Sequence, residues 1–253
     1  SGVLPDAVTY GIIINALATK RHNKDFATSF FRQAEQEAIQ PTLPLFNSML
    51  KASATAADLE AAKALFEKIY GASLKPNSIS FNNLLSACAM AGSASEARVV
   101  LEKMANAGVA PDGFSYLWMI KATSRQGGEA AEKVLEEARQ RGVGVDTGMY
   151  NAVFRAYLGE NHEKPQEVKR LFAEMQEAKV QPNAMSYLAL ANAYAMQNEV
   201  ERAEDFIFQA RQEGGDRHRP EFYACLLLAY ARKRGSRSIK AERTFRELVA
   251  ADV

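Results

Sequence analysis

The chain has little that reactive chemistry could use. Its 253 residues include two cysteines, three histidines and one tryptophan. Cys88 and Cys225 lie in apolar stretches more than a hundred residues apart. That placement argues against a disulfide between them and for a reducing compartment. His22, His162 and His218 stand singly, without partners at metal-ligand spacing, so no metal or other cofactor is expected. Neither the H-x-E and C-x-x-C pair that zinc-dependent deamination needs nor an acidic cluster in a strand-rich segment is present. No catalytic residue is therefore predicted, and the chain reads as a non-enzyme. No apolar run approaches the ~18–20 residues that span a bilayer, and the opening SGVLPDAVTY lacks the basic and apolar regions of a signal peptide. A soluble protein with no membrane partner is expected. Charge of either sign is not in excess: 31 Lys and Arg face 30 Asp and Glu, a net of +1, so no whole-molecule field draws a polyanion from a distance.

What the chain does have is a period. An aromatic returns at Tyr10, Phe46, Phe81, Tyr116, Tyr150, Tyr187 and Tyr223, at spacings of 34 to 37 residues. Pro5, Pro41, Pro76, Pro111 and Pro182 each precede their aromatic by five residues, and Val145 takes that place in the fifth unit. Repetition at this length points to stacked copies of one small motif. The boundaries fall at 7–42, 43–77, 78–112, 113–146, 147–183, 184–219 and 220–253, with 1–6 resembling the tail of a preceding unit. On that reading the array is part of a longer one.

The third unit shows what each copy is. Phe81, Leu84, Leu85 and Cys88 recur at helical spacing, then Gly92-Ser93 breaks the pattern, and Ala97, Val100, Leu101 and Met104 resume it. Asn77 or Ser78 can cap the first helix and Ser93 or Ser95 the second, while Gly108 offers a left-handed exit before Pro111. Pro165 suits the first turn of a helix. The closing second helix is expected over Ala241 to Leu248. A hairpin this small cannot bury its apolar faces alone and must lean on the next. The expected fold is all-α, a helical-repeat solenoid.

Among helix-hairpin repeats of this length, the tetratricopeptide pattern wants a tryptophan and a Leu-Gly pair in the first helix, which these units lack. Instead Pro-Asx is followed by three residues, an aromatic and often Asn, as in Pro76-Asn77-Ser-Ile-Ser-Phe81-Asn82. Over essentially its whole length the chain resembles the pentatricopeptide repeat family. The resemblance implies a right-handed superhelix of αα hairpins and a single-stranded RNA partner, read one nucleotide per repeat by two side chains. It also implies organellar RNA metabolism, in a mitochondrion or chloroplast. The implied readers are Asn47 with Asn77, Asn82 with Asp112, and Asn151 with Asn183. By the family's code Asn with Asp favours uracil, and Asn with Asn favours cytosine and tolerates uracil. The implied base clamps, two residues before the aromatic, are Val8, Ile79, Phe114 and Met185, whereas Pro44, Gly148 and Glu221 do not suit the role. Gly11, Leu117, Leu188 and Ala224 occupy the first reading position of the other units and cannot read a base. The same asparagines could instead cap helices or bridge between hairpins.

Charge distribution adds a weaker signal. The first-helix segments carry eight bases and one acid, a net of +7, leaving −6 for the remainder. Lys51, Lys121 and Arg155 each follow their aromatic by five residues and share a face with the reading position, and Arg125 is also basic near the end of a first helix. These four are the candidate contacts to the RNA backbone. Trp118 is expected to pack structurally, and Arg232-Lys233-Arg234 reads as a solvated helix end. The competing reading of the whole is a structural or protein-docking scaffold, such as a subunit of an organellar ribosome or another large ribonucleoprotein with protein partners. The apolar residues in reading positions and the near-zero net charge favour it.

Overall fold

A computed structural model describes residues 5–159, 164–214 and 220–232, together with Glu242 and Arg246. Thirteen α-helices and no strand occur among the described residues. The chain divides into two compact units, Ser1–Thr123 and Ser124–Val253.

The first unit holds α1 (Ala7–Leu17), α2 (Lys24–Gln36), α3 (Leu43–Thr55), α4 (Leu59–Gly71), α5 (Ser78–Ala91), α6 (Ala94–Asn106) and α7 (Gly113–Thr123). The odd-numbered helices pack in a row, α1 on α3, α3 on α5 and α5 on α7. Each even-numbered helix packs against the helix before it and the helix after it, so α4 touches both α3 and α5. The second unit repeats the scheme after a 3-10 turn at Ser124–Gln126. It comprises α8 (Gly128–Gln140), α9 (Thr147–Tyr157), α10 (Pro165–Glu177), α11 (Ala184–Met196), α12 (Val200–Gly214) and α13 (Pro220–Arg232). There α11 packs against α9, α10, α12 and α13.

The recurring aromatic is the peg of this packing. Tyr10, Phe46, Phe81, Tyr116, Tyr150 and Tyr223 are all buried, and Tyr187 is half-buried. Three of them meet an aromatic fifteen residues earlier on the preceding even-numbered helix. Phe31 faces Phe46 with ring centroids 5.6 Å apart, Phe66 faces Phe81 at 5.0 Å, and Phe172 faces Tyr187 at 5.6 Å. Burying one such side chain is worth about 1.5–3 kcal/mol, and the tilted ring pair adds about 0.5–1.5 kcal/mol. The aromatic period is thus a packing period.

The helix ends repeat as well. Ala38, Ser73, Gly108, Gly142 and Lys179, each just past an even-numbered helix, adopt φ between 56° and 73°. At every one the next amide reaches back five residues, as Val109 N–H does to the Met104 carbonyl at 3.0 Å and Val180 N–H to that of Met175 at 3.0 Å. This is the left-handed Schellman exit expected at Gly108. Non-glycine residues hold it at three of the five positions.

Some expected boundaries shift. The fourth first-helix, expected to run to Arg125, ends at Thr123. Thr123 donates its hydroxyl to the Met119 and Ile120 carbonyls, and Gly127 with φ of 104° turns the chain away. Asn77, not Ser78, caps α5, and Ser93 occupies the cap of α6 without bonding its backbone. Pro165 does begin α10. The segment from Ala241 to Leu248 lies outside the described residues apart from Glu242 and Arg246, and residues 1–4, His162, His218, Lys233 and Arg234 lie outside them too. Both cysteines are buried and free, and burial pushes each thiol up to about 12.

No described helix is long and apolar enough to cross a membrane.

Candidate nucleic-acid interface

Each of the three sequence-derived pairs comes together through a helix cap. Asn77, Asp112 and Asn183 stand at the N-termini of α5, α7 and α11, where the first amides have no partner inside the helix. Their Oδ1 atoms accept from the backbone N–H three residues on: Ser80 at 3.1 Å, Ser115 at 2.9 Å and Ser186 at 3.2 Å. Reciprocally, the Oγ of each serine accepts from the backbone N–H of its Asx, at 3.3, 3.1 and 3.2 Å. These are capping boxes with serine in the fourth place.

The boxes then reach across to the preceding odd-numbered helix. Ser80 Oγ donates to Asn47 Oδ1 at 2.7 Å, Ser115 Oγ to Asn82 Oδ1 at 2.7 Å, and Ser186 Oγ to Asn151 Oδ1 at 2.8 Å. The amide closes each loop. Asn47 Nδ2 donates to Asn77 Oδ1 at 3.4 Å, Asn151 Nδ2 to Asn183 Oδ1 at 3.1 Å, and Asn82 Nδ2 to both oxygens of Asp112 at 3.1 and 3.2 Å. One asparagine, one Asx and one serine form the same network three times. The serines are fully buried, whereas Asn77 and Asn183 are exposed and Asp112 is half-buried. The asparagines do bridge between hairpins, and the bridge leaves polar atoms facing out.

Sequence reasoning missed these serines, although the signal was there. Among the seven units a serine directly precedes the aromatic only at Ser80, Ser115 and Ser186, each one unit after an asparagine expected to read a base.

Around the first network lies a pocket of about 460 Å³. Asn47 and Asn77 line it, together with Ile79, Lys51 and, from α1, Asn15. Lys51 Nζ donates to Asn15 Oδ1 at 3.0 Å, and Asn83 Nδ2 to the Asn47 carbonyl at 3.0 Å. Pro44, set aside as a clamp on sequence grounds, also lines this pocket beside Ile79. The expected clamps Val8, Ile79, Phe114 and Met185 are among the most exposed large apolar side chains, at 65%, 56%, 68% and 45% of full exposure.

The bases divide by helix class. Several lysines and arginines on the even-numbered helices pair with carboxylates one hairpin away, as Lys63 with Glu96 at 2.8 Å and Arg170 with Glu132 at 2.7 Å. Arg170 is held above its ordinary value chiefly by its hydrogen bond to Glu167. On the odd-numbered helices, Lys51 meets an amide, Lys121 lies 4.2 Å from the Trp118 ring centroid, and Arg155 is exposed with no described partner. Arg125 sits exposed in the 3-10 turn of the second unit. Of the positions not expected to read a base, Leu188 is buried in the core with Ala191, Ile207 and Phe222, and Leu117 is half-buried. No group of three His, Cys, Asp or Glu among the described residues could hold a metal ion.

Residues 6–136 match the family model for the pentacotripeptide-repeat region of PRORP, and residues 133–197 match that of the pentatricopeptide repeat domain. Among solved structures, the pentatricopeptide repeat protein PPR10 from maize is similar over 99% of this chain and 37% of its own, with 20% identity and a TM-score of 0.65. PPR10 in complex with an 18-nt psaJ RNA element is similar over 99% of this chain and 43% of its own, at 16% identity and a TM-score of 0.52. The PPR domain of Arabidopsis thaliana protein-only RNase P 1, in complex with tRNA, matches over 82% of this chain and 98% of its own, at 14% identity and a TM-score of 0.54. At these identities the likeness is one of fold, and the chain spans about two fifths of PPR10. No curated protein matches it significantly in sequence.

Proposed function

This chain belongs to the pentatricopeptide repeat family, and from that premise we propose that it binds single-stranded RNA and reads pyrimidines at three positions. The observation that carries the reading is the thrice-repeated network of Asn, Asx and Ser. A helix cap demands an oxygen, so Oδ1 of each Asx turns inward to the amide of the serine. The other terminal atom is then the one presented outward. For Asp112 that is an acceptor, Oδ2; for Asn77 and Asn183 it is a donor, Nδ2, which bonds no described residue. Uracil offers the N3–H that an acceptor wants, and cytosine offers the bare N3 that a donor wants. The second Nδ2 hydrogen of Asn47, Asn82 or Asn151 remains for a ring carbonyl. Asn82 with Asp112 therefore selects uracil, and the two Asn pairs select cytosine.

Exposed apolar side chains beside the networks supply the stacking surface, and Lys51, Lys121, Arg125 and Arg155 the phosphate contacts. The chain acts non-catalytically in RNA metabolism of a mitochondrion or chloroplast. Fluorescence anisotropy with short RNAs tests this directly. Strands carrying adjacent C and U, in both orders, should bind more tightly than a purine-substituted strand, and affinity should fall as salt rises, with a slope of about 0.7 per phosphate contacted. Equal binding to all strands, or none at moderate salt, would overturn it. Leu117, an apolar and only half-buried side chain at a reading position, favours a second reading, in which part of the array serves as a protein-docking scaffold in a larger ribonucleoprotein. A stoichiometric protein partner whose binding is insensitive to salt would support that instead.

A further inference from the structure

The fourth first-helix, α7, cannot read a base at Leu117, yet it is not featureless. In the first unit, α3, α5 and α7 share four positions on one face: two residues before the aromatic, then one, two and five after it. In α3 these are Pro44, Asn47, Ser48 and Lys51, and all four line the pocket described above. In α5 Ile79 and Asn83 line the same pocket. The corresponding residues of α7 are Phe114, Leu117, Trp118 and Lys121. Where α3 presents amide, hydroxyl and proline, α7 presents two aromatic rings, an aliphatic chain and an ammonium. Phe114 is 68% exposed, Trp118 is half-buried, and Lys121 Nζ lies 4.2 Å from the Trp118 ring centroid. Phe114 and Trp118 are four residues apart and so neighbours along the helix surface. A core role would bury both rings, and neither is buried.

We infer that Phe114, Trp118 and Lys121 form a stacking face on α7 that takes a base of the bound RNA whatever its identity, beside the base read by Asn82 and Asp112. This rests on the RNA-binding reading and deepens it. Every nucleobase has a π-face, so an aromatic platform gains affinity without discriminating, while the lysine adds a cation for the adjacent phosphate. The fourth repeat would then be a spacer that still grips the strand.

Trp118 is the only tryptophan, so its emission reports on this face alone. The full chain is titrated with a pyrimidine-containing RNA while anisotropy of the RNA and emission of Trp118 are followed together, and the strand is scanned with single abasic nucleotides and with all four bases. The expected result is quenching of Trp118 at the same RNA concentration as the anisotropy change. One position should bind all four bases within about twofold yet lose about 5- to 100-fold when abasic. Trp118→Leu should abolish that abasic penalty and leave the uracil preference at Asn82 and Asp112 intact, while Trp118→Phe should keep most of it. RNA binding with unchanged Trp118 emission and no such position overturns the stacking face and spares the reading pairs. No RNA binding at all overturns both.

Discussion

Replacing Asp112 by Asn isolates the one atom on which the proposed base choice turns. The cap survives, because Asn Oδ1 can accept from the Ser115 N–H as Asp112 Oδ1 does now at 2.9 Å. Asn and Asp are near-equal caps, so folding stability should change by less than about 0.5 kcal/mol. One arm of the forked bond from Asn82 Nδ2, the 3.2 Å contact to Oδ2, is lost, leaving the single-armed arrangement already seen between Asn47 and Asn77. Towards RNA the change is larger. A charged acceptor facing the uracil N3–H becomes a donor, which removes a hydrogen bond of about 1.5–3 kcal/mol, or about 10- to 150-fold in affinity for that strand. Cytosine at the same position gains a neutral bond of about 0.5–1.5 kcal/mol, about 2- to 10-fold. Anisotropy titrations of the D112N variant with paired strands differing at one nucleotide read both numbers, and a thermal melt checks the fold. An unmoved ratio of uracil to cytosine binding, with the melt unchanged, would refute the assignment of Oδ2 as the reading atom.

The buried serines should behave as positioning residues: Ser115→Ala removes the 2.7 Å bond to Asn82 Oδ1, frees that amide to turn over, and should reduce the uracil preference several-fold while overall affinity changes less, as the same titrations would show. Gly128→Ala should destabilise the second unit by about 1–3 kcal/mol or more in denaturant titrations, because a Cβ there would lie 2.1 Å from the Tyr157 ring. Lys179→Gly should instead stabilise by about 1 kcal/mol, since Lys179 holds a φ of 58° that costs an L-residue about that much. Each unit carries one buried cysteine whose thiol is pushed up from 9.0 to about 12. A raised thiol value stabilises the fold fully below the ordinary value, and that contribution is lost as pH climbs from 9 towards 12. At pH 8.5 neither thiol should react with a disulfide reagent until its own unit opens, so mass-resolved labelling against denaturant measures the two stabilities separately.

Much of the fold was legible because its determinants are local and repeated. A helical period, a cap, a left-handed exit and an aromatic peg all leave their marks within one hairpin, and repetition along the chain makes the marks easy to see. The pairing of Asn82 with Asp112 was reachable only through resemblance, since thirty residues separate them and no spacing rule joins them. The serines were visible as letters but not as participants. A serine before an aromatic reads as ordinary helix-start chemistry until the third partner, one hairpin back, is placed beside it. Pro44 shows the converse: residue type argued against a clamp, and only the fold places it on the pocket wall.

Because the residue proposed as the second reader is also the cap of the next helix, its alphabet is limited by folding before RNA has any say. Aspartate and asparagine can trade places at Asn77, Asp112 or Asn183 and leave the array standing, so on the proposed reading a target preference can drift between two pyrimidines at almost no structural risk. A residue without a short side-chain oxygen would forfeit the cap bond, a cost of about 0.5–2 kcal/mol, and would leave the serine and the asparagine behind it without that partner. Evolution of such a protein is therefore free to rewrite its message in small steps, but only in letters that the scaffold itself can spell.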